Sequence, residues 1–140
     1  MYLLDTDHMT LLDRGGASGD ALRARLRAVP PDEVATTVIS YEEQTRGWLA
    51  RIALLRTADR QVAAYRELKR QLLNYCVIPV ADFDERAAAE FARLRRAGIR
   101  IGTMDLKIAA VALANGATLL SRNRSDFARV PSLSVEDWST

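Results

Sequence analysis

The sequence predicts an α/β fold: a mostly parallel sheet of four to five strands with helices on both faces. Two observations lead there. Short apolar or β-branched runs alternate along the chain with stretches of helical period, the pattern of β–α–β units. One of those helical stretches, LKIAAVALA at 106–114, is apolar almost all the way round, as befits a helix buried on most sides.

The elements follow in order. Tyr2-Leu3-Leu4 reads as a first strand ending in Asp5-Thr6-Asp7, then a brief helical turn over His8–Leu12. Arg14–Gly19 reads as a Gly/Ser loop, with Asp20 capping a helix over 21–28 that Pro30-Pro31 ends. Val34–Ile39 is β-branched and predicts the second strand. Ser40 opens a helix to about Arg56 with Tyr41, Trp48, Ile52 and Leu55 as its apolar stripe. A further helix over 58–74 carries Val62, Tyr65, Leu68 and Leu72, so the two form a helical hairpin on the sheet. Val77–Val80 predicts the third strand, and Asp82 or Asp84 opens a helix with Phe83, Ala87, Phe91 and Leu94 inward, closed by Gly98. Thr103 is placed to cap the apolar helix, with Asp105 in its first turn and Asn115-Gly116 as a left-handed stop. Ala117–Ser121 is the fourth strand, Arg122–Asp126 a polar run, and Leu133–Val135 an edge strand.

Bulk properties narrow the class. With 140 residues, 49% hydrophobic and 27% charged, and no linker, the chain reads as one domain over 1–140. No apolar run approaches the roughly 20 residues of a membrane span, and no basic stretch followed by a long apolar one marks a signal peptide. The single cysteine, Cys76, excludes an internal disulfide framework and fits a reducing cytoplasm; beside an apolar run it reads as a core thiol. Net charge is +2, and Lys69 and Lys107 are the only lysines among 20 basic residues. Arginine suits bidentate contact with phosphate, so nucleic-acid contact is permitted by charge though not demonstrated by it.

Parallel topology concentrates chemistry at one rim, because ligands bind such sheets at the carboxyl ends of the strands. Asp5 ends strand one, Glu43 lies in the first turn of the helix after strand two, and Asp105 begins the helix leading into strand four. Asn123 and Asp126 follow strand four; Asp7, Asp82 and Asp84 also meet the rim criterion. Two carboxylates about 5 Å apart repel by roughly 3 kcal/mol at an effective dielectric near 20. Three together raise one another's pKa or call for a cation. Oxygen donors without a His/Cys cluster suit Mg²⁺ or Mn²⁺, which can activate a water beside a phosphodiester.

Each residue also has a structural explanation. Ser40-x-x-Glu43 matches a capping box. Against that, Gly47 lies one turn below Glu43 and leaves room for another element; Glu42, nearer the apolar stripe, is the weaker candidate. Asp105 could only complement its helix dipole, Asp5 could form a strand-end turn, and Asn123 with Asp126 an Asx-type turn. His8, the sole histidine, reads as a first-turn residue rather than a ligand.

Taken together, LLDTD at 3–7, SYEEQTRG at 40–47, MDLKIAAVALANGATLLSRNRSDF at 104–127 and VEDW at 135–138 resemble the PIN-domain family, above all its VapC-type toxin ribonucleases of bacterial toxin–antitoxin pairs. The resemblance implies a three-layer α/β/α sandwich and a Mg²⁺- or Mn²⁺-dependent endoribonuclease acting on tRNA or other structured RNA. It also implies a homodimer, or a heterotetramer or larger assembly with a cognate antitoxin protein. Carried over residue by residue, Asp5 and Asp105 hold the metal. Glu43, four residues before Gly47 as in the family, orients or deprotonates the attacking water or binds the metal through water. The fourth family position, an aspartate in some members, is Asn123, which would hydrogen-bond a water or the substrate phosphate; Asp126 is left as an outer helper. By position at the rim, Arg122, Arg124 or Lys107 is expected to hold RNA phosphates, and the resemblance makes part of the helical hairpin an antitoxin or subunit surface. Two rivals remain: a metal-poor PIN-like module that only docks RNA or a partner, and a haloacid-dehalogenase-type phosphatase, whose motif Asp5-Thr6-Asp7 resembles. The latter expects Thr or Val where Met9 stands, and no clear lysine motif precedes a paired-acid loop.

Overall fold

A computed structural model describes all residues from Met1 to Thr140. In chain order the elements are β1 (Tyr2–Leu4), α1 (Thr6–Arg14), α2 (Gly16–Leu26), β2 (Val34–Thr37), α3 (Val38–Leu54), α4 (Ala58–Val77), β3 (Val80–Ala81), α5 (Glu85–Arg96), α6 (Thr103–Ala114), β4 (Thr118–Leu120), α7 (Arg124–Phe127) and β5 (Ser134–Glu136). All five strands pair in parallel in the order β3-β2-β1-β4-β5. β1 is central, with Leu3 facing Ala35 on one side and Leu119 on the other.

The two-residue alternation of the strands divides the interior in two. Leu3, Ala35 and Leu119 point to one face and pack against α5 and α6 through Ala87, Leu94, Ile108 and Val111. Leu4, Val34 and Leu120 point to the other, against Met9 of α1, Leu22 of α2 and Tyr75 of α4. This is the three-layer arrangement expected. α6 is its most enclosed helix, buried without a break from Ile108 to Ala112. Asn115 and Gly116, the latter at φ +58°, end it as expected.

Several boundaries differ from the sequence reading, each for a local reason. Asp5 caps a full helix where a brief turn was expected, its Oδ1 accepting the His8 backbone N–H at 2.8 Å. The loop over Arg14–Gly19 shrinks to a break at Gly15 (φ +76°), and Asp20 sits inside α2, paired with Arg23 at 3.2 Å rather than capping. β2 stops at Thr37, whose hydroxyl accepts the Ser40 N–H at 3.0 Å, so the cap lies three residues earlier than read. Gly102, not Thr103, stands at the N-cap of α6. α4 runs on to Val77 because the residue before a proline, Ile78, is the one forced out of helical geometry. β3 is therefore only Val80–Ala81, and Cys76 lies exposed on α4 rather than in a core. Val62, Tyr65 and Leu72 of α4 are also largely exposed rather than inward, and β5 covers Ser134–Glu136 at the edge.

Gly19 is buried where α1 and α2 cross: a Cβ there would lie 2.6 Å from the Leu11 carbonyl oxygen, part of the backbone. Gly19→Ala therefore forces the two helices apart. It is expected to cost about 1–3 kcal/mol, read as a drop of several degrees in Tm by thermal denaturation.

Candidate active site

The carboxyl ends of β1, β2 and β4 lie side by side, since Leu4 faces both Thr36 and Leu120. The Asp5 N–H donates to the Leu120 carbonyl at 3.1 Å, fixing the first acid at the rim. Asp5 is buried, and only its Oδ1 is engaged; Oδ2 takes part in no hydrogen bond. Glu43 is held by the Thr6 hydroxyl, which donates to Oε1 at 2.6 Å. Because Thr37 rather than Ser40 starts α3, Glu43 lies in the second turn and forms no capping box. Gly47 faces open space, so the close approach expected there is not seen. Glu42 is tied to Arg46 at 2.7 Å on the outside of the helix.

Asp105 projects from the first turn of α6 and is joined to the strand-four loop by Asn123. The Asn123 Nδ2 donates to Asp105 Oδ2 at 3.2 Å and to Asp126 Oδ2 at 3.0 Å. The Asn123 backbone N–H is itself fixed by the buried Ser121 hydroxyl at 2.9 Å. The amide thus stands between two acids as donor to both, rather than pointing free toward a water or phosphate.

Asp105 carries the electrostatic signature of the cluster. Its pKa is raised to about 6, first by burial and then by the charges of Glu43 and Asp5, with Asp126 adding to them; only the Asn123 hydrogen bond opposes this. Asp5, Glu43 and Asp105 therefore share one neighbourhood. The donor set is all oxygen, the chemistry that suits Mg²⁺ or Mn²⁺. No three His, Cys, Asp or Glu side chains converge tightly enough to make a ready-built metal cage. Mg²⁺ does not require one: it keeps several waters and is typically held by one or two carboxylates.

Three supporting residues escaped the sequence reading. Thr6 holds Glu43, and Ser121 holds Asn123; hydroxyls beside predicted acids were the available signal. His8 is in the first turn of α1, as expected, but is fully buried behind Asp5. Its Nδ1 lies 3.4 Å from Asp5 Oδ1, while its Nε2 accepts the Trp138 backbone N–H at 3.3 Å. The terminal VEDW segment is thereby docked against the first acid. Other candidates lie apart from the cluster. Asp7 is paired with Arg122 at 2.7 Å, which occupies both as an exposed ion pair. Asp84 caps α5, and the Ala87 N–H it accepts holds its carboxyl below the usual range. Lys107 lies about 6.0 Å from the ring centres of Phe83 and Phe91, turned toward α5.

The PIN domain family profile matches residues 2–133. The chain belongs to the PIN domain family. Among curated relatives, Ribonuclease VapC2 of Rickettsia felis is 35% identical over 65 residues, covering 44% of this chain and 48% of that protein. The chain's match thus spans about half the length of that relative. The tRNA(fMet)-specific endonuclease VapC of Salmonella typhimurium is 32% identical over 89 residues, 61% of this chain and 67% of that protein. Among solved structures, a toxin–antitoxin complex from Klebsiella pneumoniae superposes with a TM-score of 0.71 at 22% identity, covering 99% of this chain and 98% of that one. This PIN fold is therefore the architecture the sequence predicts. No helix of the chain is long and apolar enough to cross a membrane.

Asp105→Asn removes one of the repelling charges. At about pH 7.5 without divalent cations the variant is expected to melt several degrees above the parent. The sign follows from linkage: a carboxyl whose folded pKa is raised disfavours the folded state above that pKa, and the penalty fades as pH falls toward the unfolded value. The gain should vanish near pH 4, where Asp105 is protonated in the folded parent; thermal melts at both pH values check this.

Proposed function

We propose that this PIN domain is a divalent-metal-dependent endoribonuclease, the toxin of a type II toxin–antitoxin pair working in the cytoplasm. The observation that carries the reading is the side-by-side ending of β1, β2 and β4, the rim at which Asp5, Glu43 and Asp105 gather from distant parts of the chain; the raised pKa of Asp105 accords with it. The names of the relatives, a ribonuclease and a tRNA endonuclease, point to RNA. The substrate class is tRNA or another structured RNA.

The residues divide the work. The free Oδ2 of Asp5 and the carboxylate of Asp105 would hold Mg²⁺ or Mn²⁺, which when bound supplies charge neutralisation at the phosphate and a more acidic water. Glu43, steadied by Thr6, accepts the proton of the attacking water or holds the ion through water. Asn123 keeps Asp105 and Asp126 in place, and donates two N–H bonds where an aspartate would add a fourth repelling charge. Asp126 serves as the outer acid. Above pH 6 Asp105 is available as an anion; a bound cation lowers that threshold further.

The α3–α4 hairpin is the face assigned to the antitoxin or a second subunit. Leu49, Tyr65 and Leu72 are about half exposed there and line a cleft of about 390 Å³ with Tyr41 and Leu68. An apolar face of this kind is typical of a surface that meets a partner.

Asp5→Asn keeps a good N-cap for α1 while removing the charge. Incubated with total RNA and Mg²⁺, the parent should cleave and the variant should lose at least 100-fold in rate with an unchanged circular dichroism spectrum. Chelation of the parent should do the same. A folded Asp5→Asn protein that cuts as well as the parent would overturn these roles. A parent that neither cleaves nor takes up Mn²⁺ calorimetrically would favour the binding-module reading.

A further inference from the structure

A second cleft, of about 650 Å³, opens directly beside the acid cluster. It runs between the end of α5, the 98–102 loop and the start of α6, and Asp126 is the one acid on its wall. Asp126 is also the residue that Asn123 ties to Asp105, so cleft and cluster share a border. The other charged residues lining it are Arg95, Arg100 and Arg129. All three are exposed, and none is in an ion pair with a carboxylate. Arg95 instead lies 5.4 Å from the Phe91 ring centre, and Arg129 donates to the Arg100 carbonyl at 3.0 Å.

This contrasts with Arg122, one of the three cations expected from the sequence to hold phosphate. Arg122 is neutralised by Asp7, whereas none of the three cleft guanidiniums is paired with a carboxylate. The start of α6 contributes as well: Gly102 and Thr103 line the same cleft, and no side chain caps the N–H groups there. Phe91, Ile99 and Ile101 add an apolar floor. Cations along a groove with an aromatic and apolar base form a surface that suits single-stranded nucleic acid, phosphates on the arginines and a base against the floor.

We propose that this cleft is a subsite for the backbone of the RNA substrate, holding the phosphates that flank the scissile one on the Arg95, Arg100 and Arg129 side. The inference rests on the nuclease reading for its substrate. A polyanion approaching a cluster of carboxylates is repelled by it; three unpaired guanidiniums on the adjoining wall offset that repulsion and set the direction in which the strand leaves. Phosphate contacts of this kind fix register and orientation without reading sequence.

The test separates binding from cleavage. A labelled single-stranded RNA oligonucleotide is titrated with the protein in EDTA, where no cutting occurs, and anisotropy is followed from low to moderate salt. Arg95→Gln/Arg100→Gln/Arg129→Gln is expected to weaken binding at least 10-fold near 0.1 M salt. Its log–log salt slope should be shallower by about 2, since each lost contact to a single strand removes about 0.7. A control with the same loss of charge on the hairpin, Arg56→Gln/Arg60→Gln/Arg66→Gln, should bind like the parent. In Mg²⁺ cleavage assays the cleft variant should raise KM with kcat within about twofold. Arg95→Gln/Arg100→Gln, which spares the Arg129 hydrogen bond, should show an intermediate loss. Equal affinity and slope for the cleft variant and the parent, or equal losses in cleft and hairpin variants, would overturn the subsite while leaving metal-dependent cleavage intact. Cleft-dependent binding by a parent that never cuts would sink the nuclease reading and leave the subsite standing.

Discussion

The register of β1 governs what lies above it. Leu4 pairs with Thr36 on one side and Leu120 on the other, so the three strands end within one residue of each other and their following residues emerge at one edge. Parallel pairing makes this unavoidable: each connection must cross back over a face, and each return brings another carboxyl end to the same rim. The burial of Leu3, Leu4, Leu119 and Leu120 to zero exposure locks that register, because a one-residue slip would exchange the two faces of the sheet. The acids need no strong local preference to meet. They are delivered by a hydrophobic core that has no other way to pack.

Charge is then placed against that packing. Asp105 leaves the most enclosed helix of the protein, and burial contributes more to its raised pKa than any single neighbour. Asn123 is the counterweight. Its two N–H bonds reach Asp105 and Asp126, so a neutral donor sits where another carboxylate would sharpen the repulsion. Thr6 does the same for Glu43, and the His8 backbone N–H for Asp5. Each acid thus has one oxygen secured by the fold, a division that keeps the cluster from splaying while the remaining oxygens stay available.

Much of this was legible in the sequence where one physical signal dominated. The all-round apolar run at 106–114 could only be an enclosed helix, and Asn115-Gly116 could only end it. Strand ends and helix starts then placed Asp5 and Asp105 at one rim. Legibility failed where two signals competed. Thr37 and Ser40 are both good caps, and only the tertiary position of β2 decides that Thr37 wins, moving Glu43 into the second turn. Val77-Ile78-Pro79-Val80 has the composition of a strand, yet α4 continues to Val77 and the proline sets the boundary, which also turns Cys76 outward. The crossing that demands a glycine at position 19 is a contact between separate helices, invisible to any local pattern. Long-range pairings such as Asp7 with Arg122 are likewise beyond spacing rules, and that pairing occupies one of the three cations read at the rim as phosphate contacts.

The docking of the final residues has a practical side. Trp138 and Ser139 are buried, the Trp138 ring lies 4.6 Å from that of Tyr2, and its backbone leans on the imidazole that backs Asp5. The segment around Trp138 is therefore a wall behind the acid cluster. A label attached beside Trp138 would pull on the same support, whereas one on Met1, half exposed at the opposite ends of the strands, would not.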